Sequence, residues 1–373
     1  MERSVAGSSG EKVITYLDRV ASMAAIVREF ADQADRECRP AREVVEAASE
    51  RGLFRLMMPA SMGGGGLARD EIPPILEAMA RIDGSAGWVL AISQSRVNGQ
   101  LSEPEYEELY ANPDARLAGS LNPFRVKAVP VEGGFLFSGI APYVSGCTYA
   151  TWLSTLAVWV DGDQRKGVTG ILPMDQCRVL ETWNVVGLRG TGSHDVQFEN
   201  VFVPHRRIAA GGDALGDLAD SLTPVALGVA QHALDAFADL AQGKVATTTR
   251  STLRERPAAQ AQYGEATGSL HAARAVYLQS VASARRIRES GTPPTLREKA
   301  EMRLGAVTAA QLAARAVDLV FDASGLSGPS TSFDFERCWR DIHTMRQHVL
   351  LATPRYELVG RILLGLEPNS PII

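Results

Sequence analysis

The apolar positions keep a helical rhythm over roughly residues 15 to 110. Ile26, Phe30 and Ala34 recur at that spacing, followed by Val44, Val45 and Ala48. Pro59 and the run Gly63-Gly64-Gly65-Gly66 interrupt it. A second helix is predicted through Ile75, Leu76 and Met79, ending near Asp83-Gly84. From about 115 to 210 the pattern becomes that of strands. The runs Gly133 to Gly139, Trp152 to Val160 and Val196 to Pro204 are rich in β-branched and aromatic residues and are punctuated by Gly, Asp and Pro. Helices return from about 217, most clearly in the Ala-rich stretch Ala306 to Phe321, with 243–263 and Ser290 to Pro294 as connecting loops. This order predicts an α+β, mostly helical fold. An N-terminal helical domain covers 1–113, a central β domain 114–214 and a C-terminal helical bundle 215–373.

Composition narrows the class. A chain of 373 residues, 45% of them hydrophobic, has ample material for a large core. Net charge is -5 with no basic run, which argues against a nucleic-acid partner. Cys38, Cys147, Cys177 and Cys338 show no CxxC spacing and read as reduced thiols of a cytoplasmic protein. The histidines show no HxxxH or HExxH spacing, so no metal is expected. No apolar stretch is expected to reach the ~18 residues of a membrane helix. Met1-Glu2-Arg3-Ser4 has no apolar signal core behind it.

Several motifs then resemble one superfamily. Gly52-Leu53-Phe54-Arg55-Leu56-Met57-Met58-Pro59, followed by the four glycines, resembles the N-terminal signature of acyl-CoA dehydrogenases. Asp83-Gly84-Ser85-Ala86-Gly87-Trp88 looks like a helix start from the monooxygenase branch of that fold. Gly187-Leu188-Arg189-Gly190-Thr191-Gly192-Ser193-His194-Asp195, with Val201-Phe202-Val203-Pro204 after it, is similar to segments of the same branch. Trp339-Arg340-Asp341 resembles the segment that closes the fold. Many of the dehydrogenases place a catalytic Glu nine residues after that Arg. Here the position is Val349, with His348 beside it. A valine takes no proton, and a neighbouring imidazole suits other chemistry. Over residues 20–365 the chain therefore resembles the two-component flavin hydroxylases: 4-hydroxyphenylacetate-type and steroid-phenol hydroxylases, dibenzothiophene monooxygenase and amino-sugar N-oxygenases.

The resemblance implies an oxygenase component that uses reduced FMN or FAD from a separate flavin reductase. With O₂ as co-substrate it would act through a C4a-hydroperoxide on a small aromatic, polyketide-like or amine substrate, as a homotetramer. The chain has no GxGxxG after a strand with which to bind a nicotinamide itself. The alternatives are an acyl-CoA dehydrogenase or flavin oxidase, and a flavin-free member of the fold.

The implied site residues follow. Tyr143, Val144 and Ser145 form the aromatic-x-Ser segment that borders the flavin, with the Ser145 hydroxyl near N5, and Ser120 is a second pocket serine. His348 is the acid/base residue, with His343 as runner-up. If both sit on one helix they lie about 140° apart, and imidazole titrates near neutrality. Arg254 and Arg256 would reach flavin phosphates, and Gly325 stands where the superfamily meets the dinucleotide part of the cofactor. Arg340 and Asp341 are expected to be structural, and Arg189 to position the 190–193 loop. The chain departs from its relatives at Ala141-Pro142, where a Trp is usual, at Ser93-Gln94-Ser95-Arg96, where some members carry a His, and over Pro123 to Ala128.

Overall fold

A computed structural model describes residues 9–94, 103–120, 122, 125–209, 214–245 and 250–370. The N-terminal helices are α1 (Ser9–Ala21), α2 (Ala24–Glu37), α3 (Arg42–Glu50), α4 (Pro73–Ala80), α5 (Gly84–Ser93) and α6 (Glu103–Tyr110). Eight strands follow: β1 (Leu117–Ser120), β2 (Val126–Val131), β3 (Gly134–Val144), β4 (Trp152–Asp161), β5 (Gln164–Pro173), β6 (Arg178–Leu180), β7 (His194–Pro204) and β8 (Ile208–Ala209). Helices α7 (Ala214–Gly243), α8 (Pro257–Ser290), α9 (Leu296–Ala323), α10 (Phe335–Met345) and α11 (Arg355–Leu363) complete the order. The helix–strand–helix sequence expected from the patterning is present. Residues 95–96 and 123–124 of the departing segments lie outside the described residues.

The chain forms two compact units. The first comprises 1–75, 88–185 and 189–221. Its sheet runs β6-β7-β3-β2-β4-β5-β8, and β1 pairs parallel to β4. Neighbouring strands β2 and β3 form a hairpin closed at Val131↔Gly134. Alternate residues of these strands point inward, so Phe137, Ala141, Leu153, Ala157, Val196 and Val203 share one buried core. Ladder hydrogen bonds thus fix the end of β3, where the candidate residues begin.

The second unit comprises 76–87, 186–188 and 222–373. Its centre is the pair α8 and α9. A capping box starts α9, with Thr295 and Glu298 satisfying each other's backbone N–H groups. Gly305 allows the close approach, because a Cβ there would stand 1.6 Å from the Ser280 Oγ of α8.

Two expectations are corrected. The 28-residue helix α9 contains a window long and apolar enough to cross a membrane. Its alanines are buried, among them Ala300, Ala306, Ala310 and Ala313, and it packs on α8, α10 and α11 as a core helix. The loop predicted over 243–263 ends sooner. Pro257 opens α8 at its first turn, where a missing N–H costs nothing.

Candidate functional site

The aromatic-x-Ser segment sits on a distortion of β3. Pairing with β7 shifts register between Ala141 and Val144. Within that bulge Tyr143 has φ 59, a left-handed conformation that strains a non-glycine residue. The irregularity turns the Tyr143 ring outward, where it is 66% exposed, while Val144 is fully buried. The ring meets Trp183 edge-on at 6.3 Å. Gly146, at φ 74, closes the turn, and its N–H donates to the Thr191 carbonyl at 2.8 Å.

Ser145, between them, is buried. Its Oγ accepts the indole N–H of Trp88 at 3.1 Å and lies 2.7 Å from the hydroxyl of Ser193. Ser193 in turn lies 2.7 Å from the hydroxyl of Thr191. All four side chains are buried, so these bonds form away from competing water. A serine hydroxyl has one proton and two lone pairs. Trp88 and Ser193 use two of these, and one hydrogen-bonding direction of Ser145 has no partner among the described residues. That set suits the heteroatom edge of a flat ring, with the exposed Tyr143 ring alongside.

The other predicted residue of this unit is differently committed. Ser120 donates to the carbonyl of Pro142 at 2.7 Å, fixing the end of β1 to the start of the bulge. Opposite Ser120 in register, Thr155 is fully buried, and its Oγ1 finds no partner among the described residues.

In the second unit, the shared helix for the two histidines is not present. Helix α10 ends at Met345. Gln347 and His348 bond back to Thr344 and Met345, so i→i+3 turns replace the helical ladder. His343 and His348 therefore do not share one helix, and the separation of about 140° does not apply to them. His348 accepts the Leu350 N–H on Nδ1 at 3.3 Å, which leaves the ring proton on Nε2. The residue keeps some exposed area, but its ring is desolvated. Burial first, and the Arg355 guanidinium second, push it down to about 4. Titration near neutrality is thus corrected: the imidazole is held neutral. Arg355 donates to the Val349 carbonyl at 2.5 Å, which braces this loop.

His343 is engaged elsewhere. Its Nε2 lies 2.7 Å from Asp318 Oδ1, and its ring packs 4.4 Å from that of Trp339. Trp339 also donates to Asp318. Arg340 pairs with Glu336 and donates to the Val186 carbonyl at 2.6 Å. Asp341 accepts the Leu188 N–H at 2.5 Å. The Trp-Arg-Asp segment thus holds 186–188, the residues leading into the Arg189–Ser193 run. Arg189 bonds the carbonyls of Asp35 and Val185, both at 2.8 Å, consistent with its expected structural part.

Arg254 and Gly325 are linked through a residue that sequence reasoning missed. Lys244 donates to Ser324 O at 2.5 Å and Ser327 Oγ at 2.6 Å, on either side of Gly325. The Lys244 carbonyl accepts the Leu253 N–H beside Arg254. Burial lowers the Lys244 ammonium below its ordinary value. Arg254 itself is exposed and donates to Gln242, and Arg256 stands at the N-cap position of α8, its carbonyl accepting the Gln260 N–H. No local sequence signal marks Lys244, because its bond to Ser324 spans 80 positions of the chain.

Comparison with known proteins adds the wider context. The acyl-CoA dehydrogenase N-terminal domain family matches residues 17–103, and the acyl-CoA dehydrogenase C-terminal domain family matches 221–353. An indole-3-acetate monooxygenase of Pseudomonas putida is 30% identical over 90% of each chain. The oxygenase component of an FADH(2)-dependent resorcinol hydroxylase of Rhizobium sp. is 27% identical over 96% of each. Among solved structures, XiaF from Streptomyces sp. in complex with FADH2 and glycerol superposes with a TM-score of 0.89 at 23% identity, covering 98% of each chain. Other solved structures of the same fold carry FMN.

Proposed function

The chain belongs to the acyl-CoA dehydrogenase family, among its flavin-dependent monooxygenases, and from that membership we propose how its own residues serve the reaction. It is the oxygenase component of a two-component system and works with reduced flavin delivered by a separate reductase. Bound reduced flavin supplies the electrons and the carbon at which O₂ is activated.

The observation that carries the residue assignment is the Ser145 hydroxyl, buried and bonded on two sides with its third direction unassigned. Ser145 would hold the N5 edge of the flavin, with the outward Tyr143 ring bordering it. The Trp88 bond keeps the hydroxyl from turning away. Ser120 shapes the wall without donating to the cofactor, because its proton is given to Pro142. His348, held as a neutral imidazole by burial and by Arg355, is assigned the acid/base part, taking up a proton only when a developing anion raises its affinity. His343, bonded to Asp318, is structural. Lys244 and Arg254, beside the Gly325 turn, supply the positive charge for a flavin phosphate. FAD is the preferred form, as for the resorcinol hydroxylase relative, and the substrate is a small aromatic acid or phenol of indole-acetate size. The protein works in the cytoplasm, as its free thiols suit a reducing compartment.

An acyl-CoA dehydrogenase would need a carboxylate where Val349 stands. The deciding experiment mixes the protein anaerobically with reduced FAD or reduced FMN, then adds oxygen with indole-3-acetate or resorcinol. Hydroxylated product should form with wild type. Ser145→Ala should release hydrogen peroxide in its place, with coupling reduced roughly tenfold or more. Absence of product and of flavin retention with both flavins would sink the reading. Unchanged coupling in Ser145→Ala would remove Ser145 from it.

A further inference from the structure

The bonds behind Ser145 have a consequence for the hydroxyl itself. Trp88 Nε1–H is an obligate donor, so one lone pair of Ser145 Oγ is always taken. The remaining lone pair and the single proton are divided between Ser193 and the open direction. Two arrangements satisfy every bond. In one, Thr191 donates to Ser193, Ser193 donates to Ser145, and the Ser145 proton points outward. In the other, all three hydroxyls turn over: Ser145 donates to Ser193, Ser193 donates to Thr191, and Ser145 presents a lone pair outward. The contacts of 2.7 Å between Ser145 and Ser193 and between Ser193 and Thr191 are short enough for either direction. The Thr191 hydroxyl is itself both a donor and an acceptor, so it can end the row in either sense. Thr191 is fully buried, so the row leads to no solvent and carries no net proton. It changes only the polarity that Ser145 shows.

We propose that Ser193 and Thr191 are positioning residues that let the Ser145 hydroxyl switch between donor and acceptor as the bound flavin changes redox state. This rests on Ser145 meeting the flavin edge. The oxidised ring offers a bare acceptor at N5 and calls for a donor. The reduced ring carries N–H there and calls for an acceptor. A lone serine held only by Trp88 serves the first well and the second poorly, because turning its proton inward would bury an unpaired donor. Ser193 receives that proton, and Thr191 receives the one that Ser193 then passes on.

The test measures anaerobic affinity for oxidised and reduced FAD, with FMN in parallel, together with the midpoint potential of the bound flavin. Circular dichroism checks the fold. Ser145→Ala should weaken both redox forms. Ser193→Ala should weaken the reduced form by about tenfold more than the oxidised form. The corresponding fall in the two-electron midpoint potential is about 30 mV. Thr191→Val keeps the shape of the side chain and should shift the ratio in the same direction, so it carries the test if Ser193→Ala does not fold. Ser193→Thr should restore the ratio. Equal losses for both forms, or none, in Ser193→Ala and Thr191→Val while Ser145→Ala is impaired would overturn the switch and leave the placement of Ser145 standing. Unaltered binding in Ser145→Ala would overturn both.

Discussion

His348 shows how a single environment sets what a side chain can do. Its folded value of about 4 lies below the ordinary 6.5 of histidine. As pH falls through the interval between them, the unfolded chain takes up the proton first. The stabilisation is therefore complete above about 6.5 and is lost on descending towards 4. The shift corresponds to roughly 2 kcal/mol after allowance for the exposed part of the residue. Melting temperatures measured from pH 7 to pH 4 should fall more steeply for wild type than for His348→Gln, and parallel curves would refute the assignment. No activity limb near neutrality should belong to this residue. The sequence made His348 legible as a position, one step from Val349. It could not show the burial of the ring, nor the Arg355 guanidinium that adds to the same shift. The same limit applies to Ser145. Its motif was readable, but its bonds to Trp88 and Ser193 join residues 57 and 48 positions apart.

At the scale of elements, α10 matters through what it holds. Asp341 is buried and gives one carboxylate oxygen to the Leu188 N–H. Asp341→Ala leaves that N–H without its charged acceptor and should cost about 2–3 kcal/mol. Urea unfolding would measure it, and a loss below about 0.5 kcal/mol would show that the bond is dispensable. The arrangement also explains the sequence reading of the Trp-Arg-Asp segment. That Arg340 and Asp341 are structural was legible, but their partners were not, since Glu336, Val186 and Leu188 reach them by a helical repeat and by long-range contact. Helix existence was read correctly throughout most of the chain from periodicity. Helix ends were not: α10 stops where i→i+3 bonds take over, and no glycine or proline announces it.

For the whole molecule, patterning conveyed the order of helices and strands because those depend on neighbours in sequence. It could not convey that 76–87 and 186–188 join the C-terminal unit. The second unit also leaves large apolar side chains on its surface, with Leu326 at 89% and Leu364 at 82% exposure. We expect a homotetramer built from this unit, in which such side chains would be covered. Light scattering that returns a 40.0 kDa particle at micromolar concentration would contradict it. One feature of the unit reaches back to the birth of the chain. Helix α9 has the length and apolarity that membrane-insertion machinery selects, yet its docking partner α8 precedes it in sequence. On the ribosome, α8 has already emerged when α9 appears, so the close fit of Gly305 on Ser280 would draw the segment onto its partner rather than into a bilayer. Ser280→Leu would obstruct that fit. Cells making this variant should accumulate the chain in membranes or aggregates, whereas undiminished recovery in the soluble fraction would show that α9 needs no such chaperoning by its predecessor.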